Sequence, residues 1–168
     1  KKTKSENILH EAIDELKLDI ESINEVPTAK SSKEVINFYY NANLYLQRAY
    51  RHLAANPKIR RSSDLKENIE NLDKAREALS KFYIDEKKKI FQPYLTESQC
   101  REITRNRLGI TFGYVETYYD FARQESHKKK NFEIVVEHLK QSIHYFNELI
   151  ELIPLVLSFI LTATSLTL

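Results

Sequence analysis

Residues 96–127, TESQCREITRNRLGITFGYVETYYDFARQESH, decide the fold class. Thr96 followed three places later by Gln99 is a capping box: the first side chain accepts from an orphan backbone N–H at a helix start, and the second reaches back to the cap's own N–H. Downstream, Ile103, Ile110, Tyr114 and Phe121 form one apolar row, and Leu108, Phe112, Val115, Tyr119 and Ala122 form another. Steps of three, four and seven keep each row on one side of a 3.6-residue helix, whereas a strand would alternate. Two rows together make a wide apolar face, so this helix is expected to be the most enclosed of the chain.

The same grammar recurs on both sides. Thr3 with Glu6 and Ser31 with Glu34 repeat the capping box, Ser63 with Asp64 is a simpler cap, and Asn131 can cap a last helix. Leu9, Ile13, Leu16, Ile20 and Ile23 step by four and three before Pro27. Val35, Tyr39, Ala42, Leu46, Ala49 and Leu53 do so before Asn56 and Pro57, where the residue preceding proline leaves helical geometry. Leu65, Ile69, Leu72, Arg76, Leu79 and Tyr83 follow, in a helix expected to continue toward Pro93. Phe132, Val136, Leu139, Ile143, Phe146, Ile150 and Ile153 mark the fifth helix. Short linkers between these stretches predict an antiparallel up-and-down bundle of five long helices, all-α, with the left-handed packing that four-three spacing favours. Two glycines and four prolines in 168 residues leave little material for the turns of a sheet protein.

Composition narrows the function classes. The 26 basic and 24 acidic residues are interleaved, without the one-sided excess of a nucleic-acid binder. Cys100 stands alone, so no intramolecular disulfide is possible, and neither the single thiol nor the first residues fix a compartment. Residues 152–168, LIPLVLSFILTATSLTL, contain no charge in a chain that is 30% charged. We therefore divide the chain into a helical bundle at 1–151 and an apolar segment at 152–168 that packs on the bundle, on a partner or in a membrane. Pro154 within that segment is expected to kink or break the helix and let the end fold back.

Six residues stand out as binding candidates. Arg76 and Arg107 occupy positions that the four-three register assigns to the core, so each needs a carboxylate, a set of carbonyls or an anionic ligand. Sharing one cavity, they would bind an anion. Tyr40, Tyr45, Tyr118 and Tyr119 belong to two aromatic-rich helices, and adjacent tyrosines such as Tyr39 with Tyr40 or Tyr118 with Tyr119 point to different faces. At least one of each pair is then a contact residue on the surface, where tyrosine buries a large area at low entropy cost. His10 and Asp14 supply half a metal site, and no second Glu-x-x-His pair completes it, so no metal and no cofactor is expected.

Two family resemblances touch parts of the chain. Residues 142–154, SIHYFNELIELIP, with Ser142, Phe146, Leu149 and Pro154, are similar to the second helix of a tetratricopeptide repeat, and Leu108, Gly109, Phe112 and Tyr118 are like its first. The two halves stand farther apart than that repeat allows and no second copy recurs, so no function follows from them. Arg48 with His52, and Arg123 with His127, are similar to the Arg-x4-6-His motif of HEPN ribonucleases, one residue shorter. That resemblance implies a histidine acting as acid and base beside a phosphate-holding arginine. The residues themselves favour a non-catalytic binding or scaffold module with a protein partner. The alternatives are a membrane-anchored or membrane-active protein working through residues 152–168, and a HEPN-like ribonuclease.

Overall fold

A computed structural model describes residues 4–22, 33–54, 62–83, 95–128 and 132–165. They form five helices: α1 (Lys4–Ser22), α2 (Lys33–Ala54), α3 (Ser62–Tyr83), α4 (Glu97–His127) and α5 (Phe132–Ser165). No strand occurs among the described residues, and the protein is an all-α helical bundle. The caps expected at Thr3, Ser31 and Asn131, and the continuation of α3 toward Pro93, lie outside the described residues.

The cap at Thr96 is complete. The Gln99 amide N–H donates to Thr96 Oγ1 at 3.2 Å, and the Thr96 N–H donates to Gln99 Oε1 at 2.8 Å. At the other end of α4, His127 and Lys128 place basic groups against the negative end of the helix dipole. The Lys128 N–H donates to the Glu125 carbonyl at 3.1 Å.

Helices make their main contacts with their neighbours in sequence, and α4 also touches α2. The side chains give directions. Tyr39 near the start of α2 packs on Phe82 near the end of α3, while Arg51 and Ala54 share a cavity with Leu72. Phe82 reaches the cluster of Ile103, and Asp73 bonds Tyr114. Arg107 meets Glu148, and Phe121 meets His138. So α2 and α3, α3 and α4, and α4 and α5 each run in opposite directions.

The core lies among α2, α3 and α4, with Ile13 of α1 reaching into it. Leu65, Leu72, Leu79, Ile110 and Tyr114 are fully buried, and each large aliphatic contributes about 1.5–3 kcal/mol of transfer free energy. The two glycines let α4 come close to its neighbours. A Cβ on Gly113 would sit 2.8 Å from Leu72 Cδ2, and one on Gly109 would sit 2.6 Å from Arg51 Nη1. Gln47, fully buried in the same region, has no hydrogen-bond partner for either amide atom among the described residues.

α5 passes from residue 151 to 152 without interruption and continues through Pro154 to Ser165, so the break expected at the proline does not occur. Proline removes the bond to the Ile150 carbonyl, but Ile150 lies on an exposed face where water can satisfy that oxygen. Leu152 is buried against the bundle, while Ile153 and Pro154 are exposed. The side chains of residues 155–168, most of the apolar segment, lie outside the described ones. Among the described residues, no helix is long and apolar enough to cross a membrane.

Candidate interaction surface

The four-three stripe of α5 suggests the face that meets the core, and the structure turns it the other way. Leu139, Ile143, Phe146, Ile150 and Ile153 are exposed, with Ile143 at 59% and Phe146 and Ile150 at 49%, and Phe132 at the helix start reaches 80%. The face packed on the bundle carries His138, Ser142, Tyr145, Glu148 and Leu152.

The reason lies in what α4 offers. Its side toward α5 presents Arg107, Tyr114, Tyr118 and Phe121, and only the mixed face of α5 matches them. Tyr145 stacks on Tyr114 with ring centroids 4.3 Å apart and on Tyr118 at 5.8 Å, and His138 stacks on Phe121 at 4.8 Å. Ser142 Oγ donates to the Val115 carbonyl at 2.9 Å. Burial of these rings pushes the phenols of Tyr114, Tyr118 and Tyr145 up, and the Asp73 carboxylate accepting from Tyr114 at 2.6 Å raises that group further.

Glu148 supplies the carboxylate that Arg76 and Arg107 require. It accepts from Arg76 Nη2 at 3.3 Å and from Arg107 Nη2 at 3.4 Å, and the Arg76 guanidinium also lies 5.9 Å from the Tyr145 ring centre. The two arginines do come together, at the junction of α3, α4 and α5, around an internal anion. No pattern in the sequence marks Glu148 except its place on the same helix face as Tyr145 and Leu152.

The tyrosines separate. Tyr40 is a correction: it and Tyr39 are both buried, because both rings pack on Phe82 of α3 and Tyr40 also reaches Glu102 of α4. The Tyr40 hydroxyl donates to Glu102 at 3.0 Å, and burial with that carboxylate pushes its phenol up. Tyr118 is half-buried in the α4–α5 stack. Tyr45 and Tyr119 are exposed. Tyr45 lies beside the Arg48 guanidinium on the rim of an open groove of about 620 Å³ between α1 and α2, floored by Leu9, Leu16 and Ala49.

Tyr119 belongs to the second row of α4 and is exposed, as is Phe112, which borders the cavity of Arg51, Ala54 and Leu72. The Ser142 to Val115 bond fixes the register, placing Phe112 level with Phe146 and Tyr119 level with Leu139. Tyr119 and the α5 stripe thus leave large apolar side chains in solvent on the outer side of the hairpin, the kind of exposure that marks interaction sites. The Arg/His pairs lie elsewhere. Arg48 forms an ion pair with Glu102, and His52 lines the α1–α2 groove. Arg123 meets Asp120 at 3.2 Å, and His127 is the last residue of α4. Among the described residues, no three His, Cys, Asp or Glu side chains come close enough to hold a metal ion.

Comparison with protein-family models, with curated proteins and with solved structures finds no match to this chain.

Proposed function

We propose that this protein is a non-catalytic helical interaction module and that the outer face of the α4–α5 hairpin is its binding surface. The observation that carries the reading is the exposed apolar stripe Leu139, Ile143, Phe146, Ile150 and Ile153, together with Tyr119. Water contact with such a surface is unfavourable by about 25 cal/mol per Å², so covering it with a protein partner releases free energy that the bundle alone does not recover. Aromatic residues at its centre and charged residues at its edge match the composition of protein–protein interfaces.

The test compares the parent chain with Ile143→Lys/Ile150→Lys, whose changes lie in solvent and leave the core intact. Proteins recovered by the parent and lost by the variant support the module, whereas an identical set from both refutes the assignment of this face. Flotation with liposomes of both chains, and of a chain ending at Glu151, addresses membrane attachment. Flotation of the parent that the truncation abolishes would transfer the reading to residues 152–168.

A further inference from the structure

Away from the α5 stripe, a cavity of about 320 Å³ lies where α2, α3 and α4 meet. Its apolar wall comes from all three helices, as Ala54, Leu72 and Phe112, with Phe112 half-exposed. The two glycines of the chain, Gly109 and Gly113, line it as well. They are one turn apart on α4, so the helix backbone is bare along that side. The head of Arg51 lies against this bare backbone, since a Cβ on Gly109 would sit 2.6 Å from Nη1 and 3.2 Å from Cζ. Any larger residue at Gly109 would displace the guanidinium, and glycine admits it to the cavity wall.

The charges on this wall are unmatched. Arg48, one turn earlier on α2, is paired with Glu102, and Arg76 and Arg107 share Glu148. Arg51 is half-buried, and among the described residues no carboxylate forms an ion pair with it. Glu116 lines the same cavity, is exposed, and does not pair with Arg51. Thr117, the other polar side chain on the described wall, donates to the Gly113 carbonyl at 2.8 Å, so its hydroxyl has no proton left for a ligand. Arg51 is then the one side-chain donor among the described residues that line the cavity.

We propose that this cavity binds a small monocarboxylate with an apolar body about the size of one ring. The guanidinium fork matches a carboxylate through two parallel N–H···O bonds. Ala54, Leu72 and Phe112 cover the body, and the volume is at the lower end of the range for small-molecule pockets. Glu116 sets the selectivity. A phosphate monoester carries about two negative charges at pH 7 and meets that carboxylate in the same cavity, whereas a single negative charge is neutralised by Arg51. A cation is repelled by Arg51 and finds Glu116 in solvent, where an ion pair contributes little.

Because the chain has two glycines, a full-length sample carrying isotope-labelled glycine shows two backbone amide resonances by NMR, and both report on this cavity. Phenylacetate should shift both, with a dissociation constant on the order of a millimolar for a ligand of its size. Arg51→Gln, with unchanged helical circular dichroism, should weaken that binding roughly ten- to a hundredfold, as expected for the loss of a charge-assisted hydrogen bond. Arg51→Lys, which keeps the charge at the end of α2 but lacks the fork, should weaken it by about tenfold. Benzylamine and phenyl phosphate should bind the parent more weakly than phenylacetate, and Glu116→Gln should strengthen phenyl phosphate. Glycine resonances that stay still with phenylacetate at about ten times the expected constant overturn the proposal. So does phenylacetate binding that both Arg51 variants leave intact, or benzylamine or phenyl phosphate binding the parent as tightly as phenylacetate.

Discussion

Gly109 and Gly113 sit one turn apart on α4, and alanine at the two positions should move stability in opposite directions. In an exposed helix interior, glycine costs about 0.5–1 kcal/mol relative to alanine, so each substitution starts with that gain. What the new methyl meets decides the outcome. At Gly109 it meets the head of Arg51, with Nη1 at 2.6 Å and Cζ at 3.2 Å. Arg51 is only half-buried and lines an open cavity, so its flexible end can swing aside at little cost. At Gly113 the methyl meets Leu72, with Cδ2 at 2.8 Å and Cδ1 at 3.4 Å, and Leu72 is 1% exposed within the main core cluster. Forcing an extra methyl into such packing costs about 1–3 kcal/mol, which exceeds the propensity gain. We expect Gly109→Ala to be more stable by up to about 1 kcal/mol and Gly113→Ala less stable by about 1 kcal/mol. In thermal melts followed at 222 nm these correspond to shifts of roughly +2 to +4 °C and −2 to −4 °C. Two stabilised variants would refute the close approach of α3 to α4, and two destabilised ones would show that Arg51 is held in place.

Glu148→Ala should cost about 2–3 kcal/mol in urea denaturation, below the range for fully buried pairs because both arginines are partly solvated. An effect within 0.5 kcal/mol, typical of a surface pair, would show that the cluster is not a structural tie. Gln47→Leu should raise stability by about 1–2 kcal/mol, since it removes a buried amide without partners while preserving the apolar stem. A lower denaturation midpoint would show that the amide is bonded in solution. Alkaline titration tests the aromatic stack. Tyr40, Tyr114, Tyr118 and Tyr145 hold their protons above the ordinary phenol range, so above about pH 10 the folded chain binds more protons than the unfolded one. The stability these neutral phenols contribute is complete below pH 10 and is lost as pH rises through their folded values. The loss approaches about 1.4 kcal/mol per pH unit for each group, and Tyr114→Phe should flatten that slope. A slope unchanged by Tyr114→Phe would contradict the burial of that phenol.

The helices were legible in the sequence because their signals are local. A capping box such as Thr96 with Gln99, a four-three stripe and the near absence of glycine each act within a turn or two, and each gives the same answer in any tertiary setting. Arg76 and Arg107 were legible as residues in need of a counter-charge for a similar reason, since the cost of an unpaired guanidinium in an apolar register does not depend on which acid relieves it.

The rotation of each helix about its own axis was decided only by its neighbours. A stripe such as Leu139, Ile143, Phe146, Ile150 and Ile153 has the same period whether it meets a core or stands in water. Periodicity specifies that a face exists and is silent on where it points. Arg107, Tyr114 and Tyr118 on α4 selected a different face of α5, because ring stacking and the Glu148 carboxylate satisfy groups that aliphatic side chains would have left unpaired. The same tertiary context buried Tyr40, assigned the two arginines to one internal anion, and left the most apolar side of the last helix open on the surface.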